Sequence, residues 1–350
     1  MRRGSIVQLV LLGVLFGAGA AAVAIFVPWL PDPASEQADR IDFVFWFVTV
    51  ICIAIFALVA AVIVYSLLKF RARPDDDSDR PPVHGHTGLE IVWTAVPAVL
   101  VTAISIVSAI VLARNDHLPS ASAAGGQKDP LKPLVVQVIA QQFAWLFKYP
   151  AYGNATSSTL RLPLHVPVDL WLKSLDVIHS FWVPEFGQKQ DAVPGLDTHV
   201  VVTPKRLGTF PVICTELCGL GHAVMRSWTT VMPRQDFVSW ANRQKGAAAG
   251  GASGSGTAAA KTIFVNNGCN GCHTFKPAGA NGKVGPDLDK LSESAKTAGQ
   301  PLDDFIRQSI VDPNAYIAPG YPRGVMPETF SSLPKEQLDA LVKYLSGGSK

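Results

Sequence analysis

The sequence predicts a multi-domain chain: a two-helix transmembrane hairpin, an all-β domain and a small all-α domain. Three features carry that expectation. Two long uncharged runs fall in the first third, a β-branched stretch with alternating polarity follows, and a Gly/Ala/Ser tract sets off a helical tail. The 350 residues suffice for two or three domains, and 48% hydrophobic with 16% charged residues is unusual for a soluble protein. A net charge of +3 with no Lys/Arg-rich run gives no reason to expect a nucleic-acid partner.

Residues 1–27 hold Arg2 and Arg3, an apolar stretch and a small-residue run over 18–24. That is the pattern of a secretory signal peptide or of an uncleaved anchor. The hairpin occupies residues 41–114. Within it, residues 43–68 and 91–113 carry no charge, and each run is long enough to cross a hydrocarbon core of roughly 30 Å at about 1.5 Å per residue. Pro97 is tolerated because neighbouring helices satisfy the carbonyl it frees. The connecting loop opens with Lys69-Phe-Arg-Ala-Arg73, which places it on the cytoplasmic side and everything after Arg114 outside. A multi-pass protein of a bacterial cell membrane follows, surrounded by lipid, with its later domains on the outer face.

Residues 131–236 change character. Leu134-Val-Val-Gln-Val-Ile139 is β-branched, and Val166, Val168, Leu170 and Leu172 alternate with Pro167, Asp169, Trp171 and Lys173. A period of two predicts strands, assembled as a compact antiparallel β-sandwich or barrel. Residues 241–256, ending in Gly246-Ala-Ala-Ala-Gly-Gly-Ala-Ser-Gly-Ser-Gly256, read as a flexible linker. Residues 257–350 read as a helical domain. Its last helix shows Leu338, Leu341, Val342 and Leu345 at helical spacing, with Pro334 in the first turn and Gly347 past the end.

Of five cysteines, Cys52 sits in an apolar run as a packing residue. The other four form two tight pairs, each with a histidine close behind, a pattern that suits metal or cofactor attachment better than a disulfide framework. Cys269-Asn-Gly-Cys272-His273 is the pattern of covalent haem c attachment. Two thiols three residues apart reach both vinyl groups of one porphyrin, and the adjacent His273 lies under the iron. A redox pair or half a zinc site would not need that histidine. Met326 is the sole methionine after the linker, and a thioether as the other axial ligand raises the reduction potential.

Cys214-Thr-Glu-Leu-Cys218-Gly-Leu-Gly-His222-Ala-Val-Met225 gathers two thiols, an imidazole and a thioether in one loop. Such donors select copper or zinc, and a weak methionine ligand is typical of electron-transfer copper. Two cysteines could bridge two copper ions, with His179 as the candidate for a second nitrogen. A Cys214–Cys218 disulfide or a zinc site are the alternatives, and neither uses Met225.

The tail resembles class I cytochrome c domains. Gly285-Pro286-Asp-Leu288 is similar to their haem-packing loop, which implies that the Pro286 carbonyl orients His273. Residues 176–225, with Gln190-Asp-Ala-Val-Pro-Gly195 between, resemble the copper domain of oxidase subunit II, and the likeness extends over about residues 41–235. It implies a cupredoxin fold and a dinuclear copper centre. Its ligands would be His179, Cys214, Cys218, His222, Met225 and the backbone carbonyl of Glu216. The Glu216 carboxylate would help hold magnesium at the contact with subunit I. Glu90, in Glu90-Ile-Val-Trp93-Thr94, matches a glutamate near the mouth of a proton-uptake channel.

Gln142-Phe-Ala-Trp145-Leu-Phe-Lys-Tyr149 resembles the region where electrons arrive. Phe143 stands where the family has a tryptophan that receives them from soluble cytochrome c, which argues against docking of an external cytochrome there. Trp145 lies either in the electron path or in the packing. The whole chain resembles subunit II of caa-type oxidases, in which a cytochrome c domain is fused to the copper domain.

The resemblance implies a subunit that passes electrons from an external donor, such as a cytochrome complex, through haem and copper to subunit I. Subunit I would reduce oxygen to water with proton translocation, beside a subunit III, and no oxygen chemistry would occur on this chain. Two alternatives stand: the electron-transfer subunit of a copper-containing nitric oxide reductase, and a membrane-anchored copper-handling module. A quinol oxidase subunit would lack the copper ligands.

Overall fold

A computed structural model describes residues 3–71, 82, 84–118, 133–251 and 256–349. The chain divides into two units, one of Met1–Asp32 with Asp39–Asp116, the other of Pro33–Ala38 with His117–Lys350.

In the first unit, helices α1 (Arg3–Phe26), α2 (Glu36–Lys69) and α3 (Thr87–Asp116) are each long and apolar enough to cross a membrane. Among the described residues, three candidate spans therefore replace the hairpin of two. α1 runs antiparallel to α2, and small residues face each other. A Cβ on Gly17 would lie 3.5 Å from that of Ala57, and one on Gly13 would lie 4.0 Å from that of Ala61. Small residues let helix backbones approach closely where no hydrophobic force drives them together. Phe16 meets Phe56 edge-on beside them. α3 begins with a cap: His86 Nδ1 accepts from the Leu89 amide at 3.1 Å, and Glu90 Oε1 accepts from the His86 amide at 3.1 Å. Part of the basic loop, residues 72–81, lies outside the described residues.

The second unit opens with ten strands: β1 (Leu134–Gln141), β2 (Ala144–Tyr149), β3 (Ala155–Ser157), β4 (Leu160–Pro163), β5 (Val168–Ser174), β6 (His179–Trp182), β7 (Lys189–Ala192), β8 (Thr198–Val202), β9 (Gly208–Cys214) and β10 (Arg226–Met232). They form two five-stranded sheets, ordered β3-β2-β1-β5-β8 and β4-β10-β9-β6-β7. Two pairs, β1–β5 and β4–β10, run parallel, so the sandwich is mixed rather than wholly antiparallel. The alternation in β5 does what its period demands: Val168, Leu170 and Leu172 are buried, while Trp171 and Lys173 face out. Asp169 breaks the rule and is buried, because Trp171 Nε1 donates to it at 2.7 Å and His199 Nδ1 lies 3.1 Å from its other oxygen.

Helix α4 (Arg234–Gly251) lays Phe237 and Trp240 against Tyr149. It continues into the tract expected as a linker, of which residues 252–255 lie outside the described residues. The helical domain comprises α5 (Thr257–Asn266), α6 (Cys269–Cys272), a small β11 (Thr274–Phe275) and β12 (Ala280–Asn281) pair, α7 (Leu291–Ala298), α8 (Leu302–Val311) and α9 (Lys335–Gly348). Its core holds Phe264, Phe275, Phe305, Leu341, Val342 and Leu345. Pro334 caps α9 from just outside, and Gly347 falls within the last turn.

Candidate copper and haem sites

The sheet topology sets the first site. His179 opens β6, and Phe181, two residues on, pairs with Cys214 at the end of the neighbouring β9. The loop between β9 and β10 carries the remaining groups and is closed at its base by the Cys214 amide donating to the Met225 carbonyl at 3.2 Å. Cys214 and Cys218 are buried, their sulfurs 3.9 Å apart, far beyond the roughly 2.05 Å of a disulfide bond.

An imidazole stands at each thiol. His179 Nδ1 lies 3.9 Å from the Cys214 sulfur, and His222 Nδ1 lies 3.5 Å from the Cys218 sulfur. Met225 Sδ is 3.7 Å from Cys218, and the Glu216 carbonyl is 3.4 Å from Cys214. All six groups named from the sequence therefore converge. Donor atoms of His179, Cys214 and Cys218 lie within 4.8 Å of one another and could hold a metal ion. Sulfur and imidazole donors in a buried pocket fit copper. The Glu216 side chain is exposed.

Charge in the site is organised around Asp176, which the sequence reading passed over. Its Oδ1 lies 2.8 Å from His179 Nε2, and its Oδ2 accepts from the Gln142 amide at 2.7 Å. Burial works to raise the Asp176 pKa, but the His179 bond and two backbone amides outweigh it and hold the carboxyl below its ordinary range. Burial likewise opposes the charged form of His179, yet its bonds to Asp176 and Cys214 raise its pKa overall. Burial also disfavours a Cys214 thiolate, but the His179 bond prevails and brings this thiol down to about 7. Cys218 goes the other way, to about 12, through burial and then repulsion from Cys214. A carboxylate three residues before a candidate ligand histidine is a pattern the sequence does offer for such an orienting partner.

In the helical domain an apolar cleft is lined by Cys269, Cys272, His273 and Met326, together with Leu288 and Phe305. His273 Nδ1 donates to the Pro286 carbonyl at 2.8 Å. That bond fixes the tautomer and leaves Nε2 as the nitrogen able to bind a metal. Burial lowers the His273 pKa more than the Pro286 bond raises it, so the ring stays neutral, as a ligand must.

Gly285 permits this packing: a Cβ there would sit 2.5 Å from His273 Cε1. Burial raises Cys272 and lifts Cys269 to about 12. The Met326 segment is held by Asn314, unnoticed in the sequence, whose amide donates to Glu328 at 2.7 Å and whose oxygen accepts from Gly324 N at 3.0 Å. Thiols, imidazole and thioether on one apolar cleft suit a covalently bound haem.

The other named residues fall elsewhere. Trp145 is buried and meets His179 and Phe181 edge-on. Phe143 packs on the copper loop, and Glu90 caps α3 as described.

Three family models match in chain order. The transmembrane domain of cytochrome c oxidase subunit II matches residues 22–111, its periplasmic domain residues 154–230, and cytochrome c residues 257–349. Cytochrome c oxidase subunit 2 of Synechocystis sp. is 34% identical over 247 residues, covering 60% of this chain and 74% of that one. The subunit of Bacillus sp. strain PS3 is 31% identical over 288 residues, 79% of either chain. That of Alkalihalophilus pseudofirmus is 29% identical over 326 residues, 90% of this chain and 89% of its own. The chain is thus anchored in a membrane with an extracytoplasmic β-domain, and it joins the domain of a copper centre to that of a c-type haem in an oxidase whose partner is subunit I. It belongs to the cytochrome c oxidase subunit II family, with a cytochrome c domain following the copper domain.

Proposed function

We propose that this chain accepts electrons one at a time at its haem domain and delivers them through its copper domain to subunit I. His179, Cys214, Cys218, His222, Met225 and the Glu216 carbonyl would hold two copper ions. Cys269 and Cys272 would bind one haem c covalently, and His273 and Met326 would hold its iron. Bound copper and haem supply reversible one-electron chemistry, which no side chain here provides alone. The observation that carries the reading is the pair of buried thiols 3.9 Å apart, unbonded, each with an imidazole beside it.

What the protein contributes is rigidity. Cys214 and His179 sit on paired strands, and the loop base is tied by the Cys214 amide, an arrangement that would limit how far these residues move on electron transfer. The exposed Glu216 carboxylate is available for magnesium shared with subunit I. Oxygen would be reduced to water on subunit I, with proton translocation, beside subunit III and lipid. An external donor such as a cytochrome complex would supply the electrons. Glu90, whose Oε1 accepts from the His86 amide, would be the candidate entry point for proton uptake.

In the assembled oxidase, Cys214→Ser should leave haem reduction by an external donor intact and abolish oxygen consumption. Oxygen consumption at the unaltered rate in that variant would overturn the proposal.

A further inference from the structure

Gln142 follows the last residue of β1 and uses two donors at once. Its backbone amide donates to Asp176 Oδ2 at 2.7 Å, and the other oxygen of that carboxylate meets His179 Nε2 at 2.8 Å. Its side-chain Nε2 donates to the Cys218 carbonyl at 2.5 Å. One residue therefore reaches the His179 arm of the copper site through Asp176 and the loop arm directly, although it offers no atom to a metal itself.

The loop is shaped to admit that side chain. Gly219 has φ of +130°, which suits glycine, and a Cβ there would lie 2.8 Å from Gln142 Nε2. Beyond it the loop folds on itself: the His222 amide donates to the Gly219 carbonyl at 3.0 Å, and the Met225 amide donates to the His222 carbonyl at 3.2 Å. The run that carries Cys218, His222 and Met225 thus moves as a piece. The Gln142 bond is a second tie on that piece, placed at Cys218 rather than at the base where Cys214 meets Met225.

We infer that Gln142 is a positioning residue of the copper centre: its side-chain amide holds the Cys218 end of the loop in register with the His179 ring, which its backbone amide helps to fix through Asp176. The inference rests on the copper reading above and deepens it. The grip keeps the Cys218 sulfur 3.9 Å from that of Cys214. Without it, Cys218 and His222 shift together while His179 and Cys214 keep their places on paired strands, so the two halves of the site become unequal. The task needs an N–H donor at this length. Glu has the same length but offers a carbonyl oxygen only acceptors when ionised, and Met has no donor at all.

The test uses the full chain and two variants that keep the backbone amide, Gln142→Glu and Gln142→Met. In both, copper should be lost to a competing chelator more readily, by on the order of tenfold or more, as for other outer partners of metal ligands. The copper hyperfine pattern should change from two equivalent nuclei to two inequivalent ones, with the haem absorbance as in the parent. In the copper-free chain, hydrogen exchange over residues 218–225 should rise severalfold while β6 and β9 keep their protection. Parent-like hyperfine and chelator resistance in either variant would overturn the inference, and so would a loss of protection that spreads through β6 and β9. The exchange measurement bears on the Gln142 grip alone, whereas a parent chain without a paired-copper signal would count against the functional reading instead.

Discussion

His179 Nε2 lies 2.8 Å from Asp176 Oδ1, while Nδ1 of the same ring faces the Cys214 sulfur at 3.9 Å. One nitrogen is anchored and the other is aimed. The ring is fully buried, so its orientation is decided by this bond rather than by water. Asp176→Asn keeps the shape and removes the charge. Outer partners of metal-bound histidines contribute about 10- to 100-fold in affinity, and a loss of that order is expected when copper is titrated against a competing chelator. Unchanged affinity would mean that Asp176 only fills space.

The two copper-loop thiols should separate by pH in the copper-free chain. The thiolate is the reactive form. With Cys214 lowered to about 7 and Cys218 raised to about 12, raising the pH through neutrality ionises the first and leaves the second protonated. Iodoacetamide should therefore modify Cys214 increasingly from about pH 6 to about pH 9 while Cys218 stays largely unmodified. Mass analysis of the peptide containing both reads the order. Equal modification of both thiols throughout would contradict the split ionisation of the pair.

Gly285 should tolerate no side chain. A methyl there would press on the His273 ring at 2.5 Å, displacing it from the Pro286 carbonyl. Gly285→Ala is expected to lower haem incorporation severalfold in cells that mature c-type haem, judged by haem absorbance per chain. Full incorporation with an unperturbed spectrum would show that the loop yields easily.

Met326→Ala should lower the haem reduction potential, within the roughly 0.8 V range that axial ligands span, and leave the copper signal intact. Asn314→Ala removes both bonds that hold the Met326 segment and should shift the potential in the same direction by less. Potentiometry of the two variants decides. An unaltered potential in Met326→Ala would rule it out as a ligand.

Local patterns made much of this molecule readable. The Cys269–His273 spacing marks a haem turn, the alternation around Leu170 fixes which face of β5 is inside, and uncharged runs mark α2 and α3. What the sequence hid is what depends on distant partners. β1 pairs in parallel with β5, about thirty residues on, and no local period specifies that register. α1 has a composition shared by signal peptides and anchors, and its Gly13 and Gly17 gain meaning only opposite Ala61 and Ala57. Ala247 to Ala249 support helix while the surrounding glycines suggest a linker, and in the fold α4 runs on to Gly251. The ligand set itself came from resemblance to a family, since spacing alone could not bring His179 to a loop that begins 35 residues later.

The most direct test is the electron paramagnetic spectrum of the oxidised full chain. The account predicts one unpaired electron shared equally by two copper nuclei, at two coppers per haem, and its disappearance in Cys218→Ser. A spectrum from a single copper nucleus, or a site that holds zinc with no copper signal, would contradict it.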